Sequence, residues 1–336
     1  MARMVDSILT ASSFMTRFSI IFTYFSEIIR HGGSHILHIL VQKLGRGFQN
    51  MEFARICNYF PSVVAEELRL IEARPEELRE IRIRAGCPPV ALLDTLTLLG
   101  DVPFSLDMVQ RTAERMCQNS LYARQQELRR GYVTLPGGHR AGFCGRTVIE
   151  KDTVQHLTDI SSINLRIAHQ IIGAADKVMP AVVQNGDILN TLIISPPGCG
   201  KTTLLRDMAR QLGGGTYRFR VGLCDERGEI AAMYRGMAQN DVGFLTDVYD
   251  GCPKAEAMRS LVRSMSPQVL MTDELGGKED EEAICEAIHA GVRVICTVHG
   301  YNREDAASRV GIGTLIRSGV FRRTIVLGGI GNILSM

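Results

Sequence analysis

The run Ser195-Pro196-Pro197-Gly198-Cys199-Gly200-Lys201-Thr202-Thr203 comes directly after the largely apolar stretch from Ile188 to Ile194 and opens a segment patterned as a helix from Lys201 to Leu212. Strand, glycine-bearing loop and helix in that order make a phosphate-binding loop. The glycines let backbone N–H groups turn inward as an anion nest, and the helix presents its positive end. Lys201 is placed to reach the β and γ phosphates of ATP, and Thr202 to ligate Mg²⁺. One position departs from the usual pattern. Ser195 stands where the first glycine is expected, so the opening turn falls to a residue with a Cβ, followed by two prolines that fix φ.

An acidic partner lies downstream. Val269-Leu270-Met271-Thr272 reads as a strand ending in Asp273 and Glu274. In a parallel α/β sheet the strand ends gather around the ligand. Asp273 is therefore expected on the Mg²⁺ side, and Glu274 as the base that orients the attacking water. Two further strand ends carry polar groups. Asp225, Glu226 and Glu229 follow the strand that ends at Cys224, and His299 closes Thr297-Val298-His299, where it can hydrogen-bond a γ phosphate. From residue 171 onward strands and helices alternate, which predicts a mostly parallel sheet with helices on both faces.

Length and composition set the frame. A chain of 336 residues suggests two domains, with near-average apolar and charged fractions. A net charge of +2, no tryptophan and 6% aromatic residues argue against a basic, aromatic-lined groove for nucleic acid. The nine cysteines occur singly, with no C-x-x-C, so neither a disulfide framework nor a zinc site is indicated. No run has the roughly 18 apolar residues needed to cross a bilayer. The nearest, Phe18 to Ser26, is bounded by Arg17 and Glu27. Residues 1–50 differ in character from the rest. A purine-codable Gly45-Arg46-Gly47 just ahead of Met51 marks Met51 as a candidate initiator.

Residues 51–170 read as a smaller α+β domain ahead of the nucleotide domain at 171–336. Glu66 to Leu78 is helical and broken at Pro75, Glu80 to Arg84 alternates as a strand, and Asp107 to Arg130 reads as a helix. Arg130 to Ile149 has the strand, glycine turn, strand order of a hairpin, and Ile160 to Ile167 reads as a further strand. Ile171 to Val183 is expected to be a linking helix.

Several motifs together resemble one family. These are Arg130-Gly-Tyr-Val-Thr-Leu-Pro-Gly-Gly-His139-Arg140, Gln239-Asn-Asp241-Val-Gly, Thr246-Asp247-Val-Tyr-Asp250-Gly-Cys252-Pro253-Lys254-Ala255-Glu256-Ala-Met258, Arg263-Ser-Met-Ser-Pro267, Asp273-Glu274 and Thr297-Val-His299-Gly300. The chain is similar over about 51–325 to the stage III sporulation protein AA family, itself related to the ATPases of type II and type IV secretion and pili. The resemblance implies a RecA-like P-loop NTPase domain, with Asp225, Glu226 and Glu229 as an acidic box and His299 as a histidine box. It also implies an ATPase of the mother-cell cytoplasm, at the membrane through membrane proteins of a channel to the forespore, with no direct nucleic-acid partner. Six subunits are expected in a ring, a neighbour completing each site. Arg140 and Arg166 are the candidates for its arginine, with Arg82 and Arg84 left open beside them. Leu245 stands where relatives are expected to carry a basic residue, and like Ser195 it bears on catalytic competence. The other readings are a nucleotide-gated assembly scaffold that hydrolyses little and a RecA-like nucleic-acid motor.

Overall fold

Along the strand Thr191–Ser195 successive side chains face opposite sides of the sheet, and every one of them is buried. Leu192 and Ile194 join one apolar cluster and Ile193 another, so both faces of this sheet must be covered. The computed structural model describes residues 53–336 apart from 71–76, 94–95, 119, 121–123, 130, 151–152, 216, 310 and 330. The candidate initiator Met51 and the segment before it lie outside the described residues. The chain divides into two compact units, one reaching Val133 and resuming over Arg140–Ile167, the other comprising Thr134–His139 and Ala168–Met336.

The first unit is a six-stranded sheet with helices. Its elements are α1 (Ser62–Leu70), β1 (Glu80–Arg84), β2 (Val90–Leu92), β3 (Leu96–Leu98), α2 (Leu106–Met116), α3 (Gln125–Arg129), β4 (Tyr132–Thr134), β5 (Arg140–Glu150) and β6 (Thr153–Arg166). The strand order is β3-β2-β1-β6-β5-β4. On β1, Ile81 and Ile83 are buried while Arg82 and Arg84 face outward. Helix α2 starts where Ser105 accepts the Met108 N–H at 3.2 Å, and it buries Val109, Thr112, Ala113 and Met116 at helical spacing. The expected helix over 107–130 is thus two helices, α2 ending at the cap residue Cys117. The helix expected over Glu66 to Leu78 is seen as α1, which starts earlier, at Ser62, while residues 71–76 of that range lie outside the described residues.

The second unit carries the parallel sheet. After the short α4 (Met179–Val182) and the small hairpin β7 (Val183–Gln184) and β8 (Asp187–Ile188) come β9 (Thr191–Ser195), α5 (Lys201–Gly213) and β10 (Val221–Asp225). Then follow β11 (Met233–Tyr234), β12 (Met237–Ala238), β13 (Thr246–Asp250), α6 (Lys254–Met265), β14 (Val269–Thr272), α7 (Lys278–His289) and β15 (Arg293–His299). The chain closes with α8 (Arg303–Ala307), α9 (Ile312–Arg317), β16 (Arg323–Gly329) and β17 (Asn332–Ser335). The linking helix expected over 171–183 shrinks to α4, because Gly173 takes a φ of +85° and turns dominate before Met179.

The sheet order is β13-β10-β14-β15-β9-β16-β17, parallel throughout except for β17. Leu204, Leu205, Met208 and Leu212 of α5 pack on the Ile193 face, while Met258, Leu261, Ile284 and Ile316 pack on the Leu192 face. A sheet with its faces covered in this way leaves its carboxyl-terminal edge as the place for chemistry.

The amino-terminal edge is fixed by a close backbone crossing. Leu245 donates to the Gly213 carbonyl at 2.7 Å, and Gly243 turns there at a φ of +89°. A Cβ on Gly243 would lie 2.6 Å from the Gly213 carbonyl carbon. Gly243→Ala therefore combines a left-handed φ with a backbone clash, and urea denaturation should show a loss of about 2 kcal/mol or more.

Candidate active site

Helix α5 begins at the end of the loop, where Gly198 and Gly200 adopt φ values of +76° and +87° that side-chain-bearing residues disfavour. Lys201 is its first residue and is almost wholly buried. Ser195 needs no glycine's freedom. It is the last residue of β9, extended and paired with His299, and its hydroxyl donates to the Pro196 carbonyl at 2.9 Å. The expected Cβ-bearing opening turn is therefore absent, since the chain leaves the strand one residue later. Leu245 lies just ahead of β13, at the amino-terminal edge, opposite the end that carries Ser195. A basic residue there would not face this chain's own Lys201 loop.

Strand ends from β9, β10, β14 and β15 meet at the carboxyl-terminal edge. The Lys201 Nζ lies 3.3 Å from Glu274 Oε1 and 3.2 Å from His299 Nδ1. His299 Nε2 is 3.1 Å from the same Glu274 oxygen. The backbone N–H of Glu274 donates to Thr297 Oγ1 at 2.8 Å, which pins a residue at a left-handed φ of +41°. Burial alone would raise the Glu274 pKa, but the hydrogen bond and charge of Lys201, with His299 and Arg227, hold it below the usual range.

Asp273 is buried with both carboxylate oxygens lacking a hydrogen-bond partner among the described residues. Burial first, then repulsion from Asp225 against the pull of Lys254, pushes its pKa up to about 6. A buried carboxylate left so exposed to repulsion is suited to a cation. Asp273 with Thr202 are the residues that would hold Mg²⁺, and the donor set fits that hard ion.

The acidic loop divides its labour. Asp225 is fully buried and accepts the N–H groups of Glu229, Ile230 and Ala231 at 2.8, 3.1 and 2.8 Å, so its carboxylate folds the loop. Glu226 pairs with Lys254 at 2.7 Å. Glu229 offers its carbonyl to Arg206 at 2.6 Å. Sequence reasoning left out Arg227, whose Nη1 donates to Glu274 Oε2 at 3.0 Å, and Thr297 as the anchor of Glu274. Arg227 sat in a run of acids, where a solvated charge is the ordinary reading.

A cavity of about 240 Å³ adjoins the loop, lined by Ile171, Lys177, Cys199, Thr203, Leu327 and Ile333. Arg140 and Arg166 belong to the first unit, directly opposite each other on β5 and β6. Arg166 approaches Glu80 at 3.4 Å, and the Arg140 guanidinium lies 4.5 Å from the Tyr132 ring centroid.

The family profile described as sporulation stage III, protein AA, matches residues 54–334, the whole of this constellation included. The chain belongs to that family. It is 41% identical over 254 residues to Stage III sporulation protein AA of Bacillus subtilis (strain 168), covering 75% of this chain and 82% of that protein. Among solved structures it is similar to the Legionella pneumophila ATPase DotB, with a TM-score of 0.52 at 18% identity, covering 80% of this chain and 76% of DotB. It is also similar to the pilus retraction motor PilT with bound ADP, with a TM-score of 0.54 at 17% identity, covering 77% and 76% of the two chains. The family member thus has the expected α/β fold with a mostly parallel sheet. Among the described residues no helix is long and apolar enough to cross a membrane.

The orphaned Asp273 carboxyl makes stability depend on pH. Its raised pKa means that ionisation in the fold costs nothing below about pH 3.8, costs progressively more as pH rises, and costs in full above about 6. The full cost is on the order of 3 kcal/mol. In metal-free, nucleotide-free protein Asp273→Asn should therefore raise urea stability by about 1–3 kcal/mol at pH 8, a gain that shrinks toward pH 4. A gain that is equal at both values would show that Asp273 is not an unfavourably ionised group.

Proposed function

We propose that this chain binds and hydrolyses ATP as a motor subunit of a secretion-type channel assembly in sporulation. The observation that carries the reading is the meeting of Lys201, Glu274 and His299 at the sheet edge, with the buried carboxylate of Asp273, which has no hydrogen-bond partner among the described residues. The loop from Pro196 to Gly200 and the start of α5 offer backbone donors to the phosphates, with Lys201 at the β and γ positions and Thr203 beside the cavity for the nucleoside. Mg²⁺ held by Thr202 and Asp273 would supply charge neutralisation at the transferring group. Glu274 orients and deprotonates the attacking water, and His299 hydrogen-bonds the γ phosphate. Asp225 and Glu229 shape the loop that carries Glu226 and Arg227 to this edge.

A neighbouring copy adds charge, with Arg140 and Arg166 as its candidates, and the assembly is a closed ring of six. Residues 51–170 and 171–336 act as its two domains. The family's role and the secretion-ATPase fold support a place in the mother-cell cytoplasm, held at the membrane by channel proteins. No nucleic acid is needed. Ser195 ends a strand and Leu245 lies at the far edge, and phosphate release by the assembled protein distinguishes hydrolysis from a scaffold that hydrolyses little.

Phosphate release by purified full-length protein tests the reading. Lys201→Ala should lower ATP binding and turnover together, whereas Glu274→Gln should keep binding and lose turnover by a factor of about 10² or more. Turnover per subunit should rise with protein concentration, and Arg140→Ala or Arg166→Ala should lower it without weakening binding to the monomer. Unchanged hydrolysis by Glu274→Gln would remove Glu274 as the base, and activity flat across dilution with both arginine variants fully active would show a site complete within one chain.

A further inference from the structure

Arg227 enters the site from the loop after β10, and nothing in a phosphate-binding motif asks for it. Its Nη1 holds Glu274 Oε2 at 3.0 Å, while Lys201 and His299 hold Oε1 at 3.3 and 3.1 Å. Three nitrogen-bearing side chains from three separate strand-end loops thus converge on one anion. Their exposure differs. The Lys201 side chain is 6% exposed and that of Arg227 59%, so the guanidinium closes the arrangement from the solvent side.

An ion pair with so exposed an arginine adds little to folding. Its placement is nevertheless well defined. Gly228 turns at a φ of +62°, and the three amides on Asp225 fix the residues that follow. A carboxylate presents two oxygens, whereas a terminal phosphoryl group presents three and more charge, to donors that favour planar or multiple oxyanion contact. Glu274 is anchored through its backbone to Thr297, so rotation of its side chain alone is enough to vacate the place.

We infer that Arg227 is a ligand for the γ phosphate supplied by the same chain, kept at the mouth of the site by Glu274 until a nucleoside triphosphate takes the carboxylate's place. The inference rests on the ATP reading above and deepens it. A diphosphate brings no γ phosphoryl group, so it leaves the Arg227–Glu274 pair intact and Glu274 engaged. A triphosphate takes over Lys201 and Arg227 and releases Glu274 toward water. The contacts of Lys201, His299 and Arg227 with Glu274 therefore let this chain tell ATP from ADP.

The experiment is a pair of titrations of the full-length protein with Mg²⁺, one with ADP and one with the non-hydrolysable β,γ-imido analogue of ATP. Arg227→Ala should weaken the analogue about tenfold, the loss of one charge-assisted contact, and leave ADP within about twofold. Arg227→Lys should recover part of the difference. Binding of neither nucleotide by the unaltered protein would overturn the ATP reading itself. If both nucleotides bind and Arg227→Ala leaves their ratio unchanged, whether by affecting neither or by weakening both alike, the γ-phosphate role is wrong while the ATP reading stands.

Discussion

A buried ammonium needs a counter-charge, and the structure supplies Lys201 with one in Glu274. Both residues are fixed through the backbone. Lys201 starts α5 after a left-handed Gly200, and Glu274 leaves β14 at a left-handed φ with its N–H on Thr297. Strained backbone at a residue with a Cβ is held in place by its surroundings and gathers at functional sites. The parallel sheet brings the two together because β9, β15 and β14 are neighbours, with His299 between them.

The edge is divided by charge. On one side Lys201, His299 and Arg227 surround a single carboxylate. On the other, Asp225 and Asp273 repel each other with Lys254 as the relieving cation. The first half is suited to an anion and the second to a cation, which is the pairing of charges the proposed metal-bound triphosphate would need. Holding one carboxyl well above its ordinary pKa costs the fold stability, a common trade of stability for function.

Much of this was legible in the sequence because it is local. The loop, α5 and the acidic strand end are each set by residues within a few positions, and α5 lies close to the expected Lys201 to Leu212. The rest depended on tertiary placement. Nothing near Arg227 says that it bends back onto Glu274, and only the sheet order shows that Leu245 lies at the far edge from the phosphate loop. The helix expected over 107–130 broke because its periodic part ends at Met116, and the weak pattern beyond has no apolar stripe to sustain it.

If the Glu274 carboxylate holds the place of a γ phosphate, a crystal structure of the full chain with Mg²⁺ and the β,γ-imido analogue of ATP will show it displaced. The terminal phosphoryl group should lie within hydrogen-bond distance of Lys201, His299 and Arg227, with the Glu274 side chain rotated off Lys201. An analogue bound in the loop with the Lys201–Glu274 pair still closed would contradict this placement.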